Sequence, residues 1–282
     1  MAFIRLYEKR DFHATAHICR ETLPPSLNLS PDGRRLAPYL WTHQYTHLCP
    51  STCFVLDDGH GMAVGYCIGC PDIPAFVGAY PSYTAAVLDP SPDLPSPRPD
   101  PLAPPEPWTG PDGSVNGACL VQLAYDPRRL LLGDARAAAV AARYRATLHI
   151  DLLEAWQAQG WGRRLLERTV GALAEQRCAG GGSEEANPGV WVGVADDNAK
   201  VVPFYERMGF RLWEEAHDDD DGDGDEAEAF ADAAAAADED VSTKGSRSSK
   251  GDMPKRKVKV DGSIVLVREF SGAAAGSIGG AD

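Results

Sequence analysis

The stretch HIDLLEAWQAQGWGRRLLE, His149 to Glu167, passes from one kind of local structure to another. Its first part belongs to the alternating segment ATLHIDLL, where polar His149 and Asp151 sit between apolar neighbours with the period of a β-strand. A short turn with Gly160 and Gly162 follows. Beyond it, Leu165, Leu166, Thr169, Val170 and Leu173 recur at helical spacing and predict a helix over 161–178. Glycines between strand and helix have two readings. The first N–H groups of a helix lack internal partners, and glycine has no Cβ to keep a ligand away, so the turn can hold an anion. Alternatively, the chain simply needs a tight turn. It is not a P-loop, since no Gly-Lys-Ser/Thr follows, and the third glycine of the dinucleotide fingerprint is absent.

Working outward, FIRLYE at 3–8 predicts a strand, and Asp11 can cap a helix through Ala14, Ile18 and Leu23. PPSLNLSPDGRR reads as a loop, and LAPYLWTHQYTHL as a short helical stretch or a pair of turns. TCFVLDDGHGMAVGYCIG is a hairpin of two apolar runs around Asp57, Asp58, Gly59, His60 and Gly61. Residues 89–111 hold ten of the 22 prolines and read as a disordered insertion. CLVQLAYDPRRLLL fits a strand or a helix equally. GVWVGVA at 189–195 is apolar on both faces and so predicts a central strand. VVPFYERMGF predicts a short helix ending near Gly209, and SIVLVREF a last strand. The expected class is therefore α/β: a mixed sheet with helices on both faces. Residues 1–216 form one domain, 217–258 a disordered acidic, Ala-, Ser- and Lys-rich insertion, 259–270 the strand that completes the domain, and 271–282 a flexible tail.

The net charge of −14 is unevenly spread, because 214–259 holds 15 acidic and seven basic residues and so contributes −8. The rest is ordinary for a soluble domain and too poor in clustered Lys and Arg for a general nucleic-acid binder. The opening MAFIRLYEKRDF lacks the apolar run of a secretion signal, and no stretch approaches the roughly 20 apolar residues of a membrane span. Seven cysteines without such a signal read as reduced thiols, in the cytoplasm or nucleus. Cys49, Cys53, Cys67 and Cys70 have spacings that zinc sites use, but Cys53 and Cys67 fall inside predicted strands, where a small buried thiol explains them. No metal is expected.

Gln157-Ala158-Gln159-Gly160-Trp161-Gly162 resembles the Q/R-x-x-G-x-G/A pyrophosphate loop of the GNAT acetyltransferase superfamily. GVADDNAKVVPFYERMGF resembles a second part of that family's acetyl-CoA site, with Asn198, Phe204, Tyr205, Glu206, Gly209 and Phe210 at the matching positions. IRLYEKRDFHATAHI resembles its opening strand and helix. The blocks keep the family's order and cover roughly 3–88, 118–216 and the last strand. YLWTHQY, GYCIGCPD and LHIDLLEAWQAQGWG further resemble the acetyltransferase-like domain attached to some O-GlcNAcases. That likeness implies no glycosidase activity, since the chain has no room for the separate barrel domain.

The resemblance implies a central, mostly antiparallel sheet whose splayed central strands expose amides to the pantetheine arm of acetyl-CoA. Leu152 is the amide donor it points to, with Leu153 beside it, and Gln157 to Gly162 hold the pyrophosphate. Arg163 and Arg164 can reach phosphates, although one of them is expected to stay solvated. Tyr205 falls where the family keeps a tyrosine that protonates the leaving thiolate; as a plain core residue it would donate to a backbone carbonyl instead. His149 and Asp151 share one strand face. Either one takes the proton of the amine, directly or through water, or the pair is a buried hydrogen bond that fixes the strand. Glu154 stands where the family often has Pro, which loosens the strand end.

The leading function is acetyl transfer from acetyl-CoA to a primary amine, on a small molecule or a protein, by direct attack in a ternary complex. The rival is a catalytically inactive module that binds acetyl-CoA or CoA. A third class, an interaction scaffold built on the acidic tract, makes no use of the glycine turn.

Overall fold

A computed structural model of the chain describes residues 1–96, 98–133, 135–179, 187–214 and 263–270. The chain divides into a unit of Met1–Trp213 with Lys259–Asp282 and a second unit, Glu214–Val258. Of the second, only Glu214 is among the described residues, and the expected disordered insertion and tail lie outside them.

The alternating and apolar runs pair into one sheet. Its strands are β1 (Phe3–Leu6), β2 (Cys53–Asp57), β3 (Ala63–Cys70), β4 (Ala146–Leu152), β5 (Gly189–Ala195), β6 (Arg211–Leu212) and β7 (Ser263–Glu269), in the order β1-β2-β3-β4-β5-β7-β6. Every neighbouring pair is antiparallel except β4 and β5. β5 is interior, as its two apolar faces require. In the hairpin between β2 and β3, Asp57 Oδ1 accepts from the N–H groups of Gly59 (2.8 Å) and Gly61 (3.0 Å), whose φ angles of +90° and +94° suit glycine.

Ten α-helices are described, besides shorter 3-10 and π segments: α1 (Phe12–Glu21), α2 (Pro25–Asn28), α3 (Pro31–Trp41), α4 (His43–Leu48), α5 (Ile73–Tyr83), α6 (Gly117–Tyr125), α7 (Pro127–Leu132), α8 (Ala135–Arg143), α9 (Trp161–Ala179) and α10 (Val202–Arg207). One face of the sheet packs on α1 to α8 through residues such as Ile18, Leu36, Leu40, Tyr66, Ile68 and Tyr83. The other packs on α9 and α10 through Leu148, Leu152, Leu165, Leu166, Leu173 and Tyr205. All five apolar-face positions expected on α9 are buried.

Three local readings change. PPSLNLSPDGRR is helical rather than a loop. Ser30 caps α3 by accepting from the Gly33 N–H (3.1 Å), and Pro31 at the first helical position has no N–H to lose. CLVQLAYDPRRLLL is two helices, broken where Asp126 accepts from the Arg129 N–H (3.0 Å) ahead of Pro127. Asp11 makes no side-chain cap for α1. It is buried, and it receives Arg5 at 2.6 Å and the Glu8 N–H at 2.9 Å. Arg5 also bonds Asp57 (2.9 Å), so the guanidinium ties the first strand to the hairpin. Along 89–111, Leu94 is buried, Tyr39 donates to Asp93 (2.8 Å) and Arg129 to the Glu106 carbonyl (2.7 Å).

Candidate functional site

The site begins where two parallel strands part. β4 and β5 pair only at Ala146–Val190 and Thr147–Trp191, although both strands run on for several residues. On its other edge, β4 pairs with β3 as far as Gly65–Leu152, and Leu153 donates its N–H to the Val64 carbonyl (3.0 Å). Alternate residues of an antiparallel strand turn their N–H and C=O groups to opposite neighbours. Residues 147, 149, 151 and 153 therefore face β3. The N–H groups of Ile150 and Leu152 point into the gap that β5 has left. Leu152 thus offers an amide there, while the Leu153 amide is spent on β3. The expected splayed pair is present.

Past β4 the chain makes a short 3-10 turn, Glu154–Trp156, and then the glycine turn. Ala158 has φ +57° and Gly160 φ +82°, so two residues of the turn are left-handed and only one of them is glycine. Gln157 donates its side-chain amide to the Leu152 carbonyl (2.8 Å), and Gln159 to the Ala155 carbonyl (2.6 Å). α9 then opens with Trp161 and Gly162. A Cβ on Gly160 would meet nothing within 4 Å. The turn from Gln157 to Gly160 is exposed, so its backbone and the first N–H groups of a long helix are open to an anion. Arg163 is exposed and pairs with Glu167 (2.8 Å), and the Arg164 guanidinium lies 4.9 Å from the Trp161 ring centre.

On the face of the sheet toward α1, His149 Nε2 lies 3.0 Å from Asp151 Oδ2. The same oxygen accepts from the Tyr66 hydroxyl at 2.6 Å, and Thr42 Oγ1 stands 3.2 Å from that hydroxyl. Burial works against a charged His149, but the charge and hydrogen bond of Asp151 outweigh it and raise its pKa above the usual histidine value. Cys19 adjoins this group, its thiol pushed up to about 12 by burial first and the Asp151 charge second. Tyr66, Thr42 and Cys19 were not singled out from sequence. The lone hydroxyl in MAVGYCIG is the signal that could have found Tyr66, but only the β3–β4 register puts it opposite Asp151.

Tyr205 lies on the other face, in the cluster with Leu148 and Leu152, its ring 5.3 Å from Phe204 and 5.5 Å from Phe210. Burial pushes its phenol pKa well up, with Cys67 and Asp151 adding to it, so the group stays protonated. Among the described residues its hydroxyl has no hydrogen-bond partner, unlike a tyrosine held by a core carbonyl. Asn198 is half-buried in the 3-10 turn Asp196–Val201 after β5, at φ −113°, ψ 18°. The gap between β4 and β5 thus has the His149–Asp151 pair on one face of the sheet and Tyr205 on the other.

Cys49, Cys53 and Cys70 adjoin on the side of α1 to α8, where the Cys53 thiol donates to the Cys49 carbonyl (3.1 Å) and Cys70 lies beside the Cys49 thiol, while Cys67 faces α9. Among the described residues no group of three or more His, Cys, Asp or Glu is placed to hold a metal ion. No described helix is long and apolar enough to cross a membrane.

No family model matches the chain. Among solved structures it is similar to SsHAT, with 26% identity, 95% of this chain and 98% of that one covered, and a TM-score of 0.59. It is also similar to an acetyltransferase of the GNAT family from Staphylococcus aureus Mu50 (11% identity, 96% and 100% covered, TM-score 0.44). A third is the ribosomal-protein-S18-alanine N-acetyltransferase from Escherichia coli (15% identity, 98% of each covered, TM-score 0.39).

Proposed function

We propose that this chain, whose fold is GNAT-like, moves an acetyl group from acetyl-CoA to a primary amine within a ternary complex. One observation carries this reading: the β4–β5 ladder stops after Thr147–Trp191, and the glycine turn follows the gap directly. A backbone amide aimed into a gap, next to a helix start open to anions, suits an acyl thioester on a phosphorylated carrier.

The residues fit such a ligand. Leu152 would hold its acyl arm through the free N–H, with the Leu153 side chain beside it. The backbone of Ala158, Gln159, Gly160, Trp161 and Gly162 would hold the phosphates, with Gln157, its own N–H bonded to the Glu154 carbonyl and its side chain to the Leu152 carbonyl, anchoring the loop, and with Arg163 within its own reach of them once released from Glu167. Asn198 would flank the arm from the β5 side. When bound, acetyl-CoA supplies the activated acetyl group. His149, oriented by Asp151, accepts the proton that the attacking amine must lose. Tyr205, protonated and without a competing partner among the described residues, donates a proton to the departing thiolate.

Calorimetric titration with acetyl-CoA, followed by thiol release over a panel of small and peptide amines, tests the reading. Binding with turnover of any amine supports it. Binding without turnover of any of them favours the inactive CoA-binding module, and no binding removes both.

A further inference from the structure

We propose that Tyr66 is a positioning residue: its phenol, itself held by Thr42, fixes the Asp151 carboxylate so that His149 receives the proton. The proposal rests on the reading of His149 as the base. Asp151 is the competing base, since it lies on the same strand face two residues further on.

The hydrogen-bond directions decide between the two. An ionised carboxylate can only accept. Tyr66 therefore donates to Asp151 Oδ2 (2.6 Å), and its own oxygen is left to accept from Thr42 Oγ1 (3.2 Å). The same Oδ2 takes the His149 Nε2–H (3.0 Å). The chain thus runs from Thr42 to Tyr66 to Asp151, with His149 donating from the other end. Two donors on one oxygen hold the carboxylate in place against His149. Neutral His149 with its hydrogen on Nε2 keeps a lone pair on Nδ1, the only nitrogen left to accept. Its side chain is 35% exposed against 17% for Asp151, so an amine reaches it more readily.

Tyr66 is suited to the task by its own fixation. It is fully buried, and the ladder sets it directly opposite Asp151. The titratable groups around His149 are few: Asp151 on its own strand, Tyr66 from β3 and Cys19 from α1, with Arg20 acting on Cys19. Cys19 and Tyr66 are both held protonated by burial, so Asp151 is the charge that sets His149.

The test follows the His149 imidazole by NMR, its signal assigned by loss in His149→Gln. In Tyr66→Phe the carboxylate is released, burial is less opposed, and the His149 midpoint falls by half a unit or more. Thr42→Val gives a smaller fall, and Thr42→Ser keeps the wild-type midpoint. With a turned-over amine, Tyr66→Phe lowers kcat at least tenfold and leaves acetyl-CoA affinity by calorimetry unchanged. An unchanged or raised midpoint in Tyr66→Phe overturns the proposal; should that variant not fold, an unchanged midpoint in Thr42→Val does so. The titration needs no turnover, so it judges Tyr66 separately from acetyl-CoA binding, which judges the functional reading.

Discussion

The Gln157 side-chain amide donates to the Leu152 carbonyl at 2.8 Å, and so does for β4 what the departed β5 no longer does. Its own N–H is taken by the Glu154 carbonyl (3.1 Å), so Gln157 is engaged within the protein through both groups. The first residue of the loop pattern therefore ties the strand end that carries the free Leu152 amide. Gln157→Leu keeps much of the side-chain bulk and loses the bond. Urea unfolding should show a loss of about 1 kcal/mol, the usual net worth of one hydrogen bond. Acetyl-CoA affinity should fall with it, because the Leu152 amide is no longer held in place. Unchanged stability would mean that water replaces the bond at no cost.

Gly162 separates folding from binding. A Cβ there would stand 3.4 Å from Phe204 Cε2, an ordinary contact, and an acidic side chain in the first turn of a helix suits its dipole. Gly162→Asp should melt within a few degrees of the parent. It should also bind acetyl-CoA at least roughly tenfold more weakly, because a carboxylate opposes the pyrophosphate and the backbone is no longer bare. Unchanged affinity by calorimetry would remove the phosphate site from this turn.

The places of six strands along the chain and the face of α9 were legible because local apolar patterning encodes them, whereas the two-residue β6 is too short to leave a pattern: Leu165, Leu166, Thr169, Val170 and Leu173 are all buried. Two segments were not. Pro, Ser, Asp and Gly mark loops and helix starts alike, so Ser30-Pro31 looked like a turn although it caps α3. Leu-rich CLVQLAYDPRRLLL needed Asp126 to be recognised as a cap to be read as two helices. At the site, His149 and Asp151 could be placed on one face from spacing. Their hold by Tyr66 and Thr42 depends on strand register and on the α3–α4 junction, which no local pattern records. The cysteines show the converse: Cys67 and Cys70 are three apart on a strand, and an odd offset sends the thiols to opposite faces.

His43 gives the fold a pH dependence. It is buried, stacked on Phe12 with ring centres 3.7 Å apart, and its Nδ1 has no partner among the described residues. Burial, with Arg20 and His13 adding, lowers its pKa from 6.5 to about 3. Since the folded value lies below the unfolded one, the unfolded chain takes up the proton first, and stability falls as pH drops from about 6.5 toward about 3. His43→Phe keeps a ring against Phe12 and removes the titration. Between pH 6.5 and 4.5, above the range where carboxylates dominate, its melting midpoint should vary less than that of the parent. Parallel curves would show that His43 is already free to charge in the folded state.

Tyr205→Phe is the sharpest test of the proposed chemistry, because the structure separates its ring from its hydroxyl. The ring packs between Phe204 and Phe210, and phenylalanine keeps those contacts. The hydroxyl bonds nothing among the described residues, so stability should change by less than about 1 kcal/mol, the worth of a hydrogen bond that is not there to lose. Acetyl-CoA affinity should also hold. If the phenol protonates the thiolate, only the transition state loses, and kcat should fall roughly 10- to 1000-fold for any amine turned over. Full activity in the variant would mean that the thiolate leaves unprotonated or takes its proton from water. The β4–β5 gap would then keep its role in binding, and the acid would have to be sought elsewhere around it.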